Sequence, residues 1–263
     1  KVAVEQYRAE GYLADAMINY LMTLGWAPSG DTEIVPWSQI VADFRLEDVN
    51  HSPAFFDIKK LTAFNGEYIR SLPVDQFVAA CAPFLTSSPA AETDGARDAG
   101  AAGADTAGVG AVADVAAVGS GVAWPSERFD PVVFAAIAPL VQTRVGRLDE
   151  VPAMVDFLFL ADPVIDDDAF AKAFGTAAAL DIVRDSIVAC ETIEWSHGEI
   201  KEVVDAIGTG YGLKLGKTQA PIRVAVTGRS VGPPLFEAIE LLGRDETLRR
   251  LRAALTRAEA APE

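Results

Sequence analysis

Three stretches of this 263-residue chain hold residue types that could do chemistry. Asp166, Asp167 and Asp168 are adjacent carboxylates, and hard divalent cations need several oxygen ligands. No histidine adjoins them and no further octahedral partner set is near. Acids also favour the first turn of a helix, where they offset the positive end of its dipole, so the cluster reads as a helix start. Cys190 and His197 could form a thiolate–imidazole pair, but seven residues do not place two side chains on one helix face. The other histidine, His51, stands at the start of a loop or helix. Gly208–Lys217, "GTGYGLKLGK", is glycine-rich enough to suggest a phosphate cradle. Its spacing is one residue short of a GxxxxGK[ST] loop, and it follows a predicted helix rather than a strand. A helix end leading into a turn accounts for its glycines better. From these residues no active site emerges, and the chain reads as a helical scaffold or binding module.

Charge narrows the choice. The net charge is −16, which argues against nucleic-acid binding by the whole surface and gives no expectation of DNA as a partner. The charge is uneven: residues 211–257 hold nine Lys/Arg and four acids, a window of +5. No run of ~18 apolar residues suggests a membrane span. The opening "KVAVEQYRAEGYL" lacks the pattern of a signal peptide. The first residue is Lys1, and the chain reads as a piece of a longer protein. Cys81 and Cys190 are too few and too far apart for a disulfide framework or zinc site, and they read as small buried hydrophobes.

The elements that would position any site are helical. Residues 4–25 predict a helix pair broken at Gly11, with Gly25 as a stop. Ser38 and Asp57 are candidate N-caps, and Asn65-Gly66 is read as ending or kinking the helix that Asp57 begins. "VDQFVAACAPFL" is a helix with a proline near its end. Residues 89–124 contain 20 Ala or Gly among 36 residues and read as a flexible low-complexity insertion. Helices resume from "ERFDPVVFAAIAPLVQ", then near 167–191 and 196–210, the last opened by Ser196 and Glu199 as a capping box. A single helix is predicted over 235–260. The "IRVAV" stretch is the longest strand-like run, inside an irregular basic segment. The fold class is all-α.

Three collinear blocks sharpen this reading. They are "YRAEGYLADAMINYLMTLGW", "SPAFFDIKKLTAFNGEYIR" and "GKTQAPIRVAVTGRSVGPPLFEAIELLGRDETLRRLRAAL". Together they resemble bacterial glutamyl-tRNA synthetases over roughly residues 1–75 and 125–258. The family's HIGH-type and KMSKS-type strings do not occur here. The resemblance therefore implies the tRNA-recognition half: a stem-contact domain at 1–72 and two helical anticodon-binding subdomains at 73–188 and 189–263. It also implies a cytoplasmic, monomeric ligase that uses ATP and Mg²⁺ in its other half, with no cofactor in this part. The partner implied is the glutamate tRNA, and whether glutamine tRNA is also charged stays open.

By position, the family's anticodon-contacting arginines fall on Arg144 and Arg223, and its base-packing loop falls on Gly232, Pro233 and Leu235. Gly232 stands where a Thr stands in other members. An Arg fork suits a base edge or a phosphate, and unpaired anticodon bases are open to such readout. Lys214, Lys217, Arg229, Arg249, Arg250 and Arg252 would attract phosphates, and Lys59, Lys60 and Arg70 would meet the tRNA stem. Plainer alternatives stand beside these: Arg144 in an ion pair with Asp149 or Glu150, Arg223 capping a carbonyl. A helical interaction module that keeps the fold without binding tRNA is the competing function.

Overall fold

The computed structural model of the chain describes residues 3–28, 33–50, 54–85, 124–176 and 178–260. Among them every regular element is a helix, so the all-α expectation holds. The insertion lies outside the described residues except for Trp124, and His51 lies outside them too.

Three apolar cores organise the helices. The first joins α1 (Val4–Ala9), α2 (Ala14–Met22) and α4 (Ile58–Ser71) around Tyr12, Met17, Tyr20, Leu61 and Phe64, and α3 (Trp37–Asp43) lies between α2 and α4 in the chain. The second is built by α5 (Val74–Leu85), α6 (Pro131–Gln142) and α7 (Val151–Phe159), with Trp124 packed among Phe129 and Phe159. The third holds α8 (Asp167–Phe174), α9 (Ala179–Cys190), α10 (His197–Gly210), α11 (Leu215–Thr227), α12 (Leu235–Leu242) and α13 (Arg244–Ala260). The boundary expected at 188/189 falls inside this third core, because Phe170, Ile182, Val183 and Ile187 pack there with Ile222 and Leu251. The break between the cores lies in residues 160–165.

Several helix starts follow the sequence. Asp57 accepts from the N–H groups of Lys59 and Lys60, Asp130 from Val132 and Val133, and Asp166 from Ala169. Ser196 accepts from Glu199 N–H. Each satisfies donors that a helix start leaves unpaired. Elsewhere tertiary contacts override local signals. α3 starts at Trp37 behind Pro36, so Ser38 is inside it rather than its cap. Asn65 and Gly66 neither end nor kink α4, since both are buried mid-helix. The 167–191 segment divides into α8 and α9, and the 235–260 segment divides at Gly243. The "IRVAV" run is α-helical: it lies in α11, where Ile222, Val224, Ala225 and Val226 are all nearly inaccessible. A helix apolar on every side is a buried one, and burial overrides the weak helix preference of β-branched residues. Pro221 within α11 has no N–H to give the Lys217 carbonyl one turn back.

Two buried amides join the first core to the second. The Asn65 side chain accepts from Leu13 N–H at 2.8 Å and donates to the carbonyls of Gly146 at 2.7 Å and Gly11 at 3.2 Å. Gln142, at the end of α6, donates to Ile69 O and Leu72 O and so closes the C-terminus of α4.

Candidate nucleic-acid interface

The family-matched residues gather where α6 ends and α11 meets the loop before α12. Gly228 ends α11 in a left-handed conformation, φ +78°, and the loop 229–234 follows. Thr227 Oγ1 holds the turn by donating to Arg223 O at 2.9 Å and accepting from Arg229 N–H. Arg223, half-buried on α11, donates from Nη1 to Pro233 O at 2.8 Å. The carbonyl-capping alternative for Arg223 is therefore one of its roles, and it leaves the other donors of the fork unengaged. Gly232, Pro233 and Leu235 are buried, so the positions matched to the base-packing loop offer little surface for the direct base contact expected of them. A Cβ at Gly232 would meet Arg223 Nη1 at 3.5 Å, an ordinary contact.

Arg144 follows α6 and is exposed. The acids expected to neutralise it are taken: Asp149 and Glu150 pair with Arg147. Among the described residues Arg144 has no ion pair and no side-chain hydrogen bond. It lies close enough to Arg223 for the two like charges to interact. Burial first, and the Arg144 charge second, lower the affinity of the Arg223 guanidinium for its proton. Among the described residues the two guanidiniums thus stand near each other without an acid between them, a pairing that could serve an electron-rich group.

The wider basic set divides. Lys59, Lys214 and Lys217 are exposed and without ion pairs among the described residues. Lys60 pairs with Glu33, Arg70 with Glu67, and Arg252 with Glu191, all at exposed positions. Such pairs are weak and exchange readily. Arg229 and Arg250 are different. Arg229 forms a two-pronged pair with Asp156, at 2.7 and 2.6 Å. Arg250 is 2% exposed and donates to Glu246, Val226 O and Leu160 O. Arg249 is held by Glu246 and Asp162. Phosphate attraction was the wrong reading for Arg250, which shows no face to solvent. Sequence reasoning missed Asp156, although a lone carboxylate inside "VPAMVDFLF" signals a buried charge that needs a partner.

The other chemical candidates resolve as structural. Asp166 caps α8 and Asp167 pairs with Arg257. Cys190 is buried, and burial pushes its thiol up to about 11, the opposite of an activated nucleophile. His197 Nδ1 instead meets Glu240 Oε2 at 2.7 Å. Gly208–Lys217 spans the end of α10, a turn at Gly212 and the start of α11, as expected.

Comparison with known proteins identifies the family. Residues 77–255 match the family described as "Anticodon binding domain". Residues 1–63 match "tRNA synthetases class I (E and Q), catalytic domain". The block read as a stem-contact domain thus falls largely within what that family description calls catalytic, although neither HIGH-type nor KMSKS-type string occurs in it. The chain is 54% identical over 258 residues to the glutamate–tRNA ligase of Salinispora arenicola, covering 98% of this chain and 49% of that protein. It is 47% identical over 265 residues to that of Thermobifida fusca, covering 100% of this chain and 49% of the relative. The chain spans about half the length of the curated relatives it matches. The fold resembles a glutamate tRNA ligase from Elizabethkingia meningosepticum, with TM-score 0.69 and 22% identity over 95% of this chain and 42% of that one. With most of its length matched, over a span that includes Arg144 and Arg223, this chain belongs to the anticodon-binding domain family.

Proposed function

We propose that this chain is the tRNA-recognition portion of a glutamate–tRNA ligase and reads the anticodon of the glutamate tRNA. The observation that carries this is the exposed, unpaired Arg144 beside the partly engaged Arg223, on the edge of a preformed loop. Single-stranded anticodon bases are splayed and present their Watson–Crick edges, which a guanidinium fork can meet with two parallel donors. Arg223 would serve twice, fixing Pro233 O and meeting the RNA with its remaining donors. Lys214 and Lys217, exposed at the start of α11, would meet phosphates and position the RNA without specifying it. Lys59, and Lys60 and Arg70 once released from their exposed pairs, would meet the stem.

The ligase works in the cytoplasm as a monomer. Attachment of glutamate with ATP and Mg²⁺ needs the HIGH-type and KMSKS-type segments, which these 263 residues lack. The chain alone binds tRNA and catalyses nothing. Titration of the chain against the glutamate tRNA and a non-cognate tRNA, at two salt concentrations, tests this reading. Tighter binding of the glutamate tRNA at both salts is expected. Equal binding of the two, or none at low salt, refutes it in favour of a helical module that keeps the fold alone.

A further inference from the structure

The junction between the second and third cores carries a set of polar contacts whose donors are arginines of the third. Arg229 donates to Asp156 and to Ala153 O at 2.9 Å. Arg250 donates to Leu160 O at 3.0 Å, and Arg249 reaches Asp162 and Ala161 O. All five acceptors lie between residues 153 and 162, on α7 and just past its end. Beside it lies an apolar contact, with Ala238 and Leu241 of α12 packed on the second core. Asp156 is 4% exposed, so its charge is answered by the Arg229 fork and little else.

Each end of this clasp is joined along the chain to one of the two arginines proposed to read the anticodon. Arg144 leads through the 3₁₀ turn Leu148–Glu150 directly into α7, which holds Asp156. Arg229 is the first residue after Gly228 and opens the loop whose Pro233 carbonyl Arg223 holds. We propose that the Asp156–Arg229 pair, supported by Arg249 and Arg250, is a positioning clasp that sets the separation of Arg144 and Arg223 and thereby tRNA discrimination. This inference rests on the anticodon-reading role proposed above. A clasp of charges is suited to the task because a fork on a carboxylate fixes direction as well as distance, which apolar contact between two small side chains does not. It also removes Arg229, Arg249 and Arg250 from the phosphate-binding set.

Asp156→Asn keeps the shape and removes the charge. Two readouts on the 263-residue chain decide the matter. The first is the distance distribution between spin labels at Thr143→Cys and Ser230→Cys, both exposed positions on either side of the junction. It is expected to widen in Asp156→Asn. The second is the ratio of affinities for the glutamate tRNA and a non-cognate tRNA. It is expected to fall about tenfold, within the roughly 5- to 150-fold that a lost bidentate base contact is worth. Arg229→Lys keeps the charge without the fork and should fall between the two, and it decides the question alone if Asp156→Asn does not fold. Arg249→Gln should leave the dependence of log Kd on log salt unchanged, whereas loss of a phosphate contact would lower its slope by about one. A wild-type label distribution and a wild-type ratio in the folded variants overturn the clasp, as does a lowered slope in Arg249→Gln. A wild-type chain that does not discriminate refutes the anticodon role instead, and the label distances then still decide the clasp.

Discussion

Gly228→Ala should destabilise the chain by about 3–6 kcal/mol, on two separable grounds. The φ of +78° places an L residue in the left-handed region, which costs ~1–2 kcal/mol. The added Cβ would also stand 2.1 Å from Val164 O and 2.7 Å from its carbonyl carbon. Real contacts of that kind do not occur, so residues 164–166 must move. They cannot move freely, because Asp166 N–H donates to Gly228 O at 2.9 Å and the Asp166 side chain caps α8. Relief of such overpacking costs about 1–3 kcal/mol, and the shared hydrogen bond adds ~1 kcal/mol. Gly212→Ala is the matched control: φ is +68°, and nothing lies within 4 Å of the new Cβ. It should cost only the conformational part. Urea titration of both variants, followed by circular dichroism, measures the difference, expected at about 2 kcal/mol or more. Equal destabilisation would refute the close approach of residue 164 to the end of α11. Because Gly228 opens the loop that Arg223 holds, the same variant should also weaken tRNA discrimination.

Two further predictions concern the joints and the thiols. Asn65→Leu strands the Leu13 N–H and removes the donors to Gly11 O and Gly146 O, at about 1–3 kcal/mol per unsatisfied buried group. It should cost ~3 kcal/mol in urea titration, and residues 3–28 should lose hydrogen-exchange protection before the third core does. Burial pushes the Cys81 thiol up to about 12 and the Cys190 thiol up to about 11, from an ordinary value of 9.0. Above pH ~9 the unfolded chain releases these protons and the native chain keeps them. Stability present below pH 9 is therefore lost as pH rises toward 11, by up to about 1.4 kcal/mol per pH unit for each thiol. Cys81→Ala should flatten that slope in the folded chain, measured as the urea midpoint between pH 8.5 and 10.5. An unchanged slope would place the thiol in a wetter site.

Much of the local structure was legible because its causes are local. Asp57, Ser196 and Asp166 cap helices through hydrogen bonds spanning two or three residues, which spacing reveals. What escaped has distant causes. Asn65-Gly66 resembles a helix stop, yet Asn65 is held mid-helix by partners 52 to 81 residues away. "IRVAV" resembles a strand because a helix buried on every side loses its 3.6-residue pattern. The basic window of residues 211–257 was legible as a count but not as a set of partners. Arg229 and Arg250 reach 73 to 90 residues back to α7 and its end, so charge that looked available is spent within the fold, while Arg249 reaches the same segment from an exposed position. Arg144 is the converse: its neighbours Asp149 and Glu150 looked ready to neutralise it, but Arg147 takes both. The residues of the candidate site came from family resemblance, and the geometry supplies the distinction between those left free and those engaged.

The most direct test of anticodon reading is the affinity of Arg144→Ala for the glutamate tRNA and for a non-cognate tRNA, measured by fluorescence anisotropy at fixed salt. Arg144 is exposed and supports no other side chain among the described residues, so the variant should keep its fold. If Arg144 reads a base edge, the ratio of the two affinities should fall by ~1–3 kcal/mol while non-cognate binding changes little. Equal weakening of both tRNAs would make Arg144 a phosphate contact and contradict its role in reading the anticodon.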